Sequence, residues 1–268
     1  MKTPAPVVML FSGLDPTGGA GLQADIEAAA SMGCHAAPIV TCLTVQNTQN
    51  VIGVTPVSPT LIVEQARAVL EDMPVKAFKC GLLGSAEQVE ALHTLMRDYA
   101  EIPLILDPVL VAGGGAELVD TETLFALREL LLPRATVVTP NTPELRALAR
   151  GSGSDTLEAC AMEVLSHGCD FVLVTGAHEA TAKVVNTLYG NHRRLQEYQW
   201  DRLPGVYHGS GCTLASAIAG LLAQGQEPFS AISAAQRYTW NTLKHAEHLG
   251  MGQMIPDRLY WAGNVEAE

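Results

Sequence analysis

No apolar run in the chain approaches the ~20 residues of a membrane-spanning helix. The opening run Val7-Val8-Met9-Leu10-Phe11, behind Pro4 and Pro6, is also too short for the apolar region of a secretory signal. Basic clusters are missing too: nothing longer than Arg193-Arg194 occurs, and 16 Lys and Arg against 28 Asp and Glu leave a net charge of −12. A nucleic-acid surface is therefore not expected. The cysteines (Cys34, Cys42, Cys80, Cys160, Cys169 and Cys212) stand singly, without a C-x-x-C pair or a metal-ligand spacing to histidine. Thiols in a cytoplasmic protein are the expectation. Charge is scarce at 16%, but apolar residues reach 48% of the 268, which excludes disorder as the main state. No repeat or Pro/Gly/Ser linker divides the chain, since Gly151-Ser152-Gly153-Ser154 is a single loop. One domain over 1–268 is expected.

Short apolar runs at 7–11, 37–43, 76–80, 103–106, 136–138 and 171–174 alternate with helical patterns near 18–32, 59–72, 86–99, 120–131, 143–149 and 154–167. That alternation predicts βα units, hence an α/β fold with a mostly parallel sheet covered on both faces. After residue 180 the pattern changes. Segments 183–189 and 193–199 flank Gly190-Asn191 and predict an antiparallel edge hairpin. Two helices close the chain. The first is marked by Leu214, Ala217, Ile218, Leu221 and Leu222 at helical spacing, and the second spans about 228–248.

Glycine-rich turns at 13–21 and 209–211 each lead into a helix. A helix N-terminus offers unpaired N–H groups and a positive dipole end, and glycine lets an anion approach the backbone. Both turns are candidate phosphate or oxyanion sites; a tight strand-to-helix turn is the other reading of each. Gly19-Ala20-Gly21-Leu22-Gln23-Ala24 fits the dinucleotide fingerprint, which wants an acidic residue about 20 positions later. None occurs between Glu27 and Glu64, which argues against a nicotinamide dehydrogenase. Neither turn continues as a Walker P-loop. His245 and His248 have no third metal ligand nearby; Lys244-His245 reads as complement to a helix C-terminus.

Five segments in order carry a resemblance: Ser12-Gly13-Leu14-Asp15-Pro16-Thr17-Gly18-Gly19-Ala20-Gly21-Leu22-Gln23-Ala24-Asp25, Thr44-Val45-Gln46-Asn47-Thr48, Asp107-Pro108-Val109, Thr139-Pro140-Asn141-Thr142-Pro143-Glu144 and His208-Gly209-Ser210-Gly211-Cys212-Thr213. Together they resemble the hydroxymethylpyrimidine/phosphomethylpyrimidine kinases of thiamine biosynthesis. The resemblance implies the three-layer α/β/α ribokinase-like fold. It also implies Mg-ATP-dependent phosphorylation of 4-amino-5-hydroxymethyl-2-methylpyrimidine, its monophosphate, or both, and a homodimer. The alternatives are a pyridoxal kinase or a non-catalytic pyrimidine-binding protein.

Residue roles follow from the same resemblance. Backbone N–H groups of Gly209, Ser210 and Gly211 would hold the transferring phosphate. Cys212, at the aspartate position of related sugar and pyridoxal kinases, would activate the substrate hydroxyl, with a thiol pKa lowered by the helix start. A buried inert cysteine is the other reading. Asp25, Gln46 and Gly13 would contact the pyrimidine, and Val109 would form an apolar wall. Asp107 and Glu144 match the magnesium-holding positions; Glu144 also suits the first turn of a helix. Asn141, Thr175 and Lys79 fall on the nucleotide side, as does the loop with His178; a structural strand lysine is the other reading of Lys79. Two departures stand out. Thr175, and the segment Ala112-Gly113-Gly114-Gly115, occupy places where members often carry lysine or, in the second case, lysine or a hydroxyl. Fewer cations should weaken the second phosphorylation, whose acceptor is already an anion, more than the first.

Overall fold

Val8, Met9, Leu10 and Phe11 are fully buried, as a central parallel strand covered on both faces requires. They belong to β1 (Val7–Leu14) of a computed structural model that describes residues 4–111, 118–149 and 156–262. The other strands are β2 (His35–Gln46), β3 (Val51–Pro56), β4 (Val75–Cys80), β5 (Leu104–Leu106), β6 (Ala135–Val138), β7 (Phe171–Val174), β8 (Lys183–Gly190) and β9 (Arg193–Asp201). They form one nine-stranded sheet in the order β3-β2-β1-β4-β5-β6-β7-β8-β9. Pairings from β2 through β1 and β4 to β7 are parallel; β3 and the β8–β9 hairpin are antiparallel additions at opposite edges.

Eight α-helices occur among the described residues: α1 (Gly21–Ser31), α2 (Pro59–Asp72), α3 (Ala86–Arg97), α4 (Thr121–Ala126), α5 (Thr142–Leu148), α6 (Leu157–Ser166), α7 (Ser210–Ala223) and α8 (Pro228–Lys244). Alternation along the strands divides them into two layers. Met9, Phe11, Phe78, Leu104, Leu106 and Val138 pack against α2 to α6, with the Phe11 and Phe78 rings 6.1 Å apart. Val8, Leu10, Ala77, Ile105 and Val137 pack against α1, α7 and α8. Each such large side chain contributes about 1.5–3 kcal/mol by leaving water, which makes this pattern hard to shift by one register. Among the described residues no helix is long and apolar enough to cross a membrane.

The expected strands and the edge hairpin are present, and several boundaries differ. β3 was not anticipated, because Gly53 and Pro56 interrupt the run and its Ile52 is exposed. β2 reaches Gln46, beyond the expected end at 43, because β3 pairs with its outer half. The hairpin turns at Asn191 and His192, both at positive φ, and not at Gly190-Asn191; Gly190 lies in β8. α1 starts at Gly21, since Gly18 is left-handed, and α8 ends at Lys244. The expected helix over 120–131 continues from α4 through a π turn at Leu127–Leu131. Ala112-Gly113-Gly114-Gly115 and the loop Gly151-Ser152-Gly153-Ser154 lie outside the described residues.

Candidate active site

Strand order reverses between β1 and β4, and the carboxyl ends of the strands open there into a cavity of about 970 Å³. Ligands bind at this place in open α/β sheets. Both glycine turns border it. After β1 the chain bends around Asp15, whose carboxylate accepts the Thr17 N–H (2.8 Å), the Thr17 hydroxyl (2.9 Å) and the Ala20 N–H (2.9 Å). It also pairs with His208 Nε2 at 2.8 Å. Burial pushes the Asp15 pKa up, but the bonds from His208 and Thr17 outweigh it and hold the group below its ordinary value.

The second turn opens α7 from Gly209, which sits at φ 73°. A Cβ there would overlap the Gly19 carbonyl, so glycine is required both by the torsion and by the approach of one turn to the other. Gly21 meets the same double demand at φ 58°, against the Gly13 carbonyl. The first N–H groups of α7 have no carbonyl partner inside the helix, and Ser210, Gly211 and Cys212 line the cavity.

Asp107, at the end of β5, faces this turn: a Cβ on Gly211 would lie 3.5 Å from its Oδ1. Thr139 Oγ1 approaches Oδ1 at 3.5 Å, whereas Oδ2 is buried with no hydrogen-bond partner. Burial and the nearby Asp25 charge raise the Asp107 pKa to about 6, against the lowering pull of Lys79 and of the Cys212 and Thr139 side chains. Glu144 completes a capping box at α5: its Oε2 accepts the Asn141 N–H and Asn141 Oδ1 accepts the Glu144 N–H, both at 2.9 Å. Burial and repulsion by Asp107 push Glu144 to about 8. Glu144 and Asn141 therefore have a structural duty as well as a place on the cavity wall.

The expected low-pKa thiol is corrected. Cys212 lines the cavity floor, half-buried, but desolvation pushes its pKa up to about 12. Lys79 and the Gly21 N–H pull it down, while Asp25 and Asp107 push it further up. One helix N-terminus does not offset desolvation together with two neighbouring carboxylates. The ligand-free protein holds a neutral thiol.

Asp25 and Lys79 require a second correction. Both are fully buried and neither lines the cavity, so direct contact with pyrimidine or phosphate does not follow. Lys79 Nζ lies 2.9 and 2.8 Å from the Asp25 oxygens, and Ser216 Oγ donates to Asp25 at 2.8 Å. Burial works against the ammonium, yet the charge of Asp25 and its hydrogen bond, with Cys212 and Asp107 adding to them, together outweigh it and raise the Lys79 pKa. This pair lies under the floor, and Nζ reaches Ser12 Oγ on the wall at 3.4 Å.

Gln46, Gly13, Val109, Thr175 and His178 all line the cavity, as do Gly209, Ser210 and Gly211. No group of three or more metal-ligating side chains occurs among the described residues. His245 caps α8 and stacks on Tyr260. Sequence reasoning assigned nothing to Asp15, Thr17 and His208, although Asp15-Pro16-Thr17 is a turn signal. It also missed Arg258, and the wall of Asn186, Trp200, Gln236 and Trp240, for which no local pattern gives warning.

Helix N–H groups opposite a carboxylate, inside a crevice, are the parts that transfer of a phosphoryl group requires. By fold and site the molecule is a ribokinase-like small-molecule kinase. Residues 15–257 match the family model described as phosphomethylpyrimidine kinase, and the chain belongs to that family. It is 37% identical to the hydroxymethylpyrimidine/phosphomethylpyrimidine kinase of Synechococcus elongatus, over 92% of this chain and 95% of that one. It is likewise 37% identical to a thiamine biosynthesis bifunctional protein of Geobacter sulfurreducens, over 93% of this chain. The chain spans about half the length of that relative (51%). Among solved structures, the Bacillus subtilis pyridoxal kinase in an ADP complex superposes with a TM-score of 0.88, at 26% identity, over 97% of this chain and 100% of that one. Kinases of this family take ATP as phosphoryl donor and a small molecule as acceptor.

Proposed function

We propose that the chain, acting as a single kinase domain, phosphorylates the hydroxymethyl group of 4-amino-5-hydroxymethyl-2-methylpyrimidine and then the resulting monophosphate, in thiamine biosynthesis. The observation that carries this reading is that Gln46 and Val109 share one cavity with the Gly209–Cys212 turn. An amide donates and accepts in one plane, which suits the amino group and adjacent ring nitrogen of an aminopyrimidine. Val109 packs against the ring. N–H groups of Gly209, Ser210 and Gly211 take the phosphoryl oxygens as charge builds on them.

Magnesium fits the acids present. The buried Oδ2 of Asp107 has no hydrogen-bond partner, and the raised pKa of Glu144 marks a carboxyl whose ionised form would gain from a nearby cation. We propose that Asp107 and Glu144 hold the ion, largely through water. When bound, it neutralises phosphate oxygen charge. Asn141 and Thr175 lie on the nucleotide side; Lys79 acts from beneath the floor, through Asp25. Cys212, after its own thiol proton has passed to solvent in the loaded site, takes the hydroxyl proton as a thiolate in the first step. The monophosphate acceptor is largely ionised already, its second pKa being about 6, and needs no such base. A homodimer in the cytoplasm is part of the proposal.

Incubating the purified protein with Mg-ATP and hydroxymethylpyrimidine and resolving the products by chromatography tests this reading. Monophosphate followed by diphosphate is expected; ATP consumption without a phosphorylated pyrimidine would contradict it. The full-length likeness to a pyridoxal kinase favours pyridoxal phosphorylation as the second reading.

A further inference from the structure

Arg258 is a charged side chain with no contact to the cavity, yet it is 1% exposed and meets both glycine turns. Its Nη1 donates to the Gly18 carbonyl at 3.4 Å and its Nη2 to the Gly19 carbonyl. Its Nε donates to Thr213 Oγ1 at 2.8 Å, and that hydroxyl donates in turn to the Gly209 carbonyl at 2.8 Å. One guanidinium thus spans from the Asp15 loop to the start of α7. Among the described residues the only carboxylate paired with it is Glu27, at 3.2 Å and 26% exposed.

Burying a guanidinium mainly against neutral carbonyls is costly, and an apolar side chain of equal volume would fill the space at less expense. What an apolar side chain lacks is the planar fork, which fixes several acceptors at set positions at once. The segment carrying Arg258 is itself anchored around the cavity. Gly252 N donates to Thr48 Oγ1 and Gln253 N to Thr48 O. Met254 pairs with the chain beside the second turn, through Met254 N to Val206 O and His208 N to Met254 O. The Arg258 carbonyl accepts the hydroxyls of Ser31 and Tyr238.

We propose that Arg258 is a positioning residue for phosphoryl transfer: it sets the spacing between the 15–20 loop and the 209–213 turn, and hence the aim of the N–H groups on the phosphate. This rests on the kinase reading above. Misplacing reacting groups by about 1 Å costs about 100-fold in rate. Arg258→Ala should therefore lower kcat at saturating ATP and pyrimidine by about that factor. The pyrimidine KM, set at Gln46 and Val109, should stay within about twofold. Arg258→Lys keeps the charge without the fork and should remain at least about tenfold slow. Methylguanidinium added to Arg258→Ala should restore part of kcat.

Each rate is referred to folded protein measured by near-UV circular dichroism on the same sample. A kcat loss no greater than the loss of folded protein, or a fully active Arg258→Lys, would overturn the inference. Should Arg258→Ala fail to fold, Thr213→Val carries the test. It cuts the hydroxyl bridge with nearly unchanged volume, and an unaltered kcat there would be equally damaging. Wild-type protein without turnover would remove the kinase reading itself, whereas wild-type turnover indifferent to both positions removes this inference alone.

Discussion

Cys212 shows how strongly surroundings govern a single side chain. Its place at the first turn of α7 suggested a thiolate, but desolvation, with two carboxylates adding to it, raises the thiol to about 12. A base needed only for a hydroxyl acceptor gives a separable result: Cys212→Ala should slow the first phosphorylation by about 100-fold or more and the second far less. Equal losses in two parallel steady-state assays would remove the base role. Gln46→Ala should raise the pyrimidine KM by about tenfold, as loss of one or two hydrogen bonds implies, with the ATP KM unmoved. An unchanged pyrimidine KM would take Gln46 out of the site. Asp107 gives a prediction for stability. Its folded pKa of about 6 exceeds the ordinary 3.8, so the unfolded chain releases this proton first as pH rises. The folded state therefore loses stability between pH 3.8 and 6 and carries the full penalty above 6. Asp107→Asn should raise the stability of the ligand-free, EDTA-treated protein above pH 6 by on the order of 2–3 kcal/mol. The advantage should fade toward pH 3.8, as urea titrations across that range would reveal. A constant difference at all pH values would mean that the carboxylate is not the origin.

The strands of the core were legible because their burial on both faces leaves an uninterrupted apolar run, as in Val7–Phe11. β3 was not, because its register depends on pairing with β2 and its composition includes Gly53 and Pro56. The turn of the β8–β9 hairpin was misplaced by one residue for a related reason. Asn191 and His192 carry the positive torsions, 51° and 53°, while Gly190, the residue that draws attention, is paired within β8 to Phe171 and Arg193, where a Cβ would crowd the Phe171 and Leu195 side chains. A two-residue turn with both torsions positive favours Asn-Gly. His192→Gly should therefore stabilise the protein by about 0.5–1 kcal/mol, through relief of a left-handed non-glycine residue. Thermal unfolding would measure it, and a lower Tm would show that the His192 side chain has a packing role.

At the scale of the molecule, the glycine turns were readable and their supports were not. Glycine spacing marks a helix N-terminus suited to an anion, whereas Arg258 is one basic residue far along the chain from Gly18 and Thr213. Only the folded chain joins them. Asp25 illustrates the converse. It lies in a segment shared with the family, and helical spacing alone does not say that it turns inward to Lys79. The sheet sets this arrangement by bringing β1, β4, β5 and α7 to one crevice, so that the proposed pyrimidine contacts Gln46 and Val109, the 209–212 turn, Asp107 and Glu144 face a common space. A pyridoxal kinase has the same fold, so the side chains on the crevice wall, and not the fold, must decide which heterocycle is the acceptor. The most direct test offers the wild-type protein hydroxymethylpyrimidine and pyridoxal together, at equal concentration with Mg-ATP, and follows both phosphorylated products. The account predicts that kcat/KM favours the pyrimidine by at least about tenfold, the discrimination a site with a matched hydrogen-bonding amide supplies. Preferential formation of pyridoxal phosphate would contradict it.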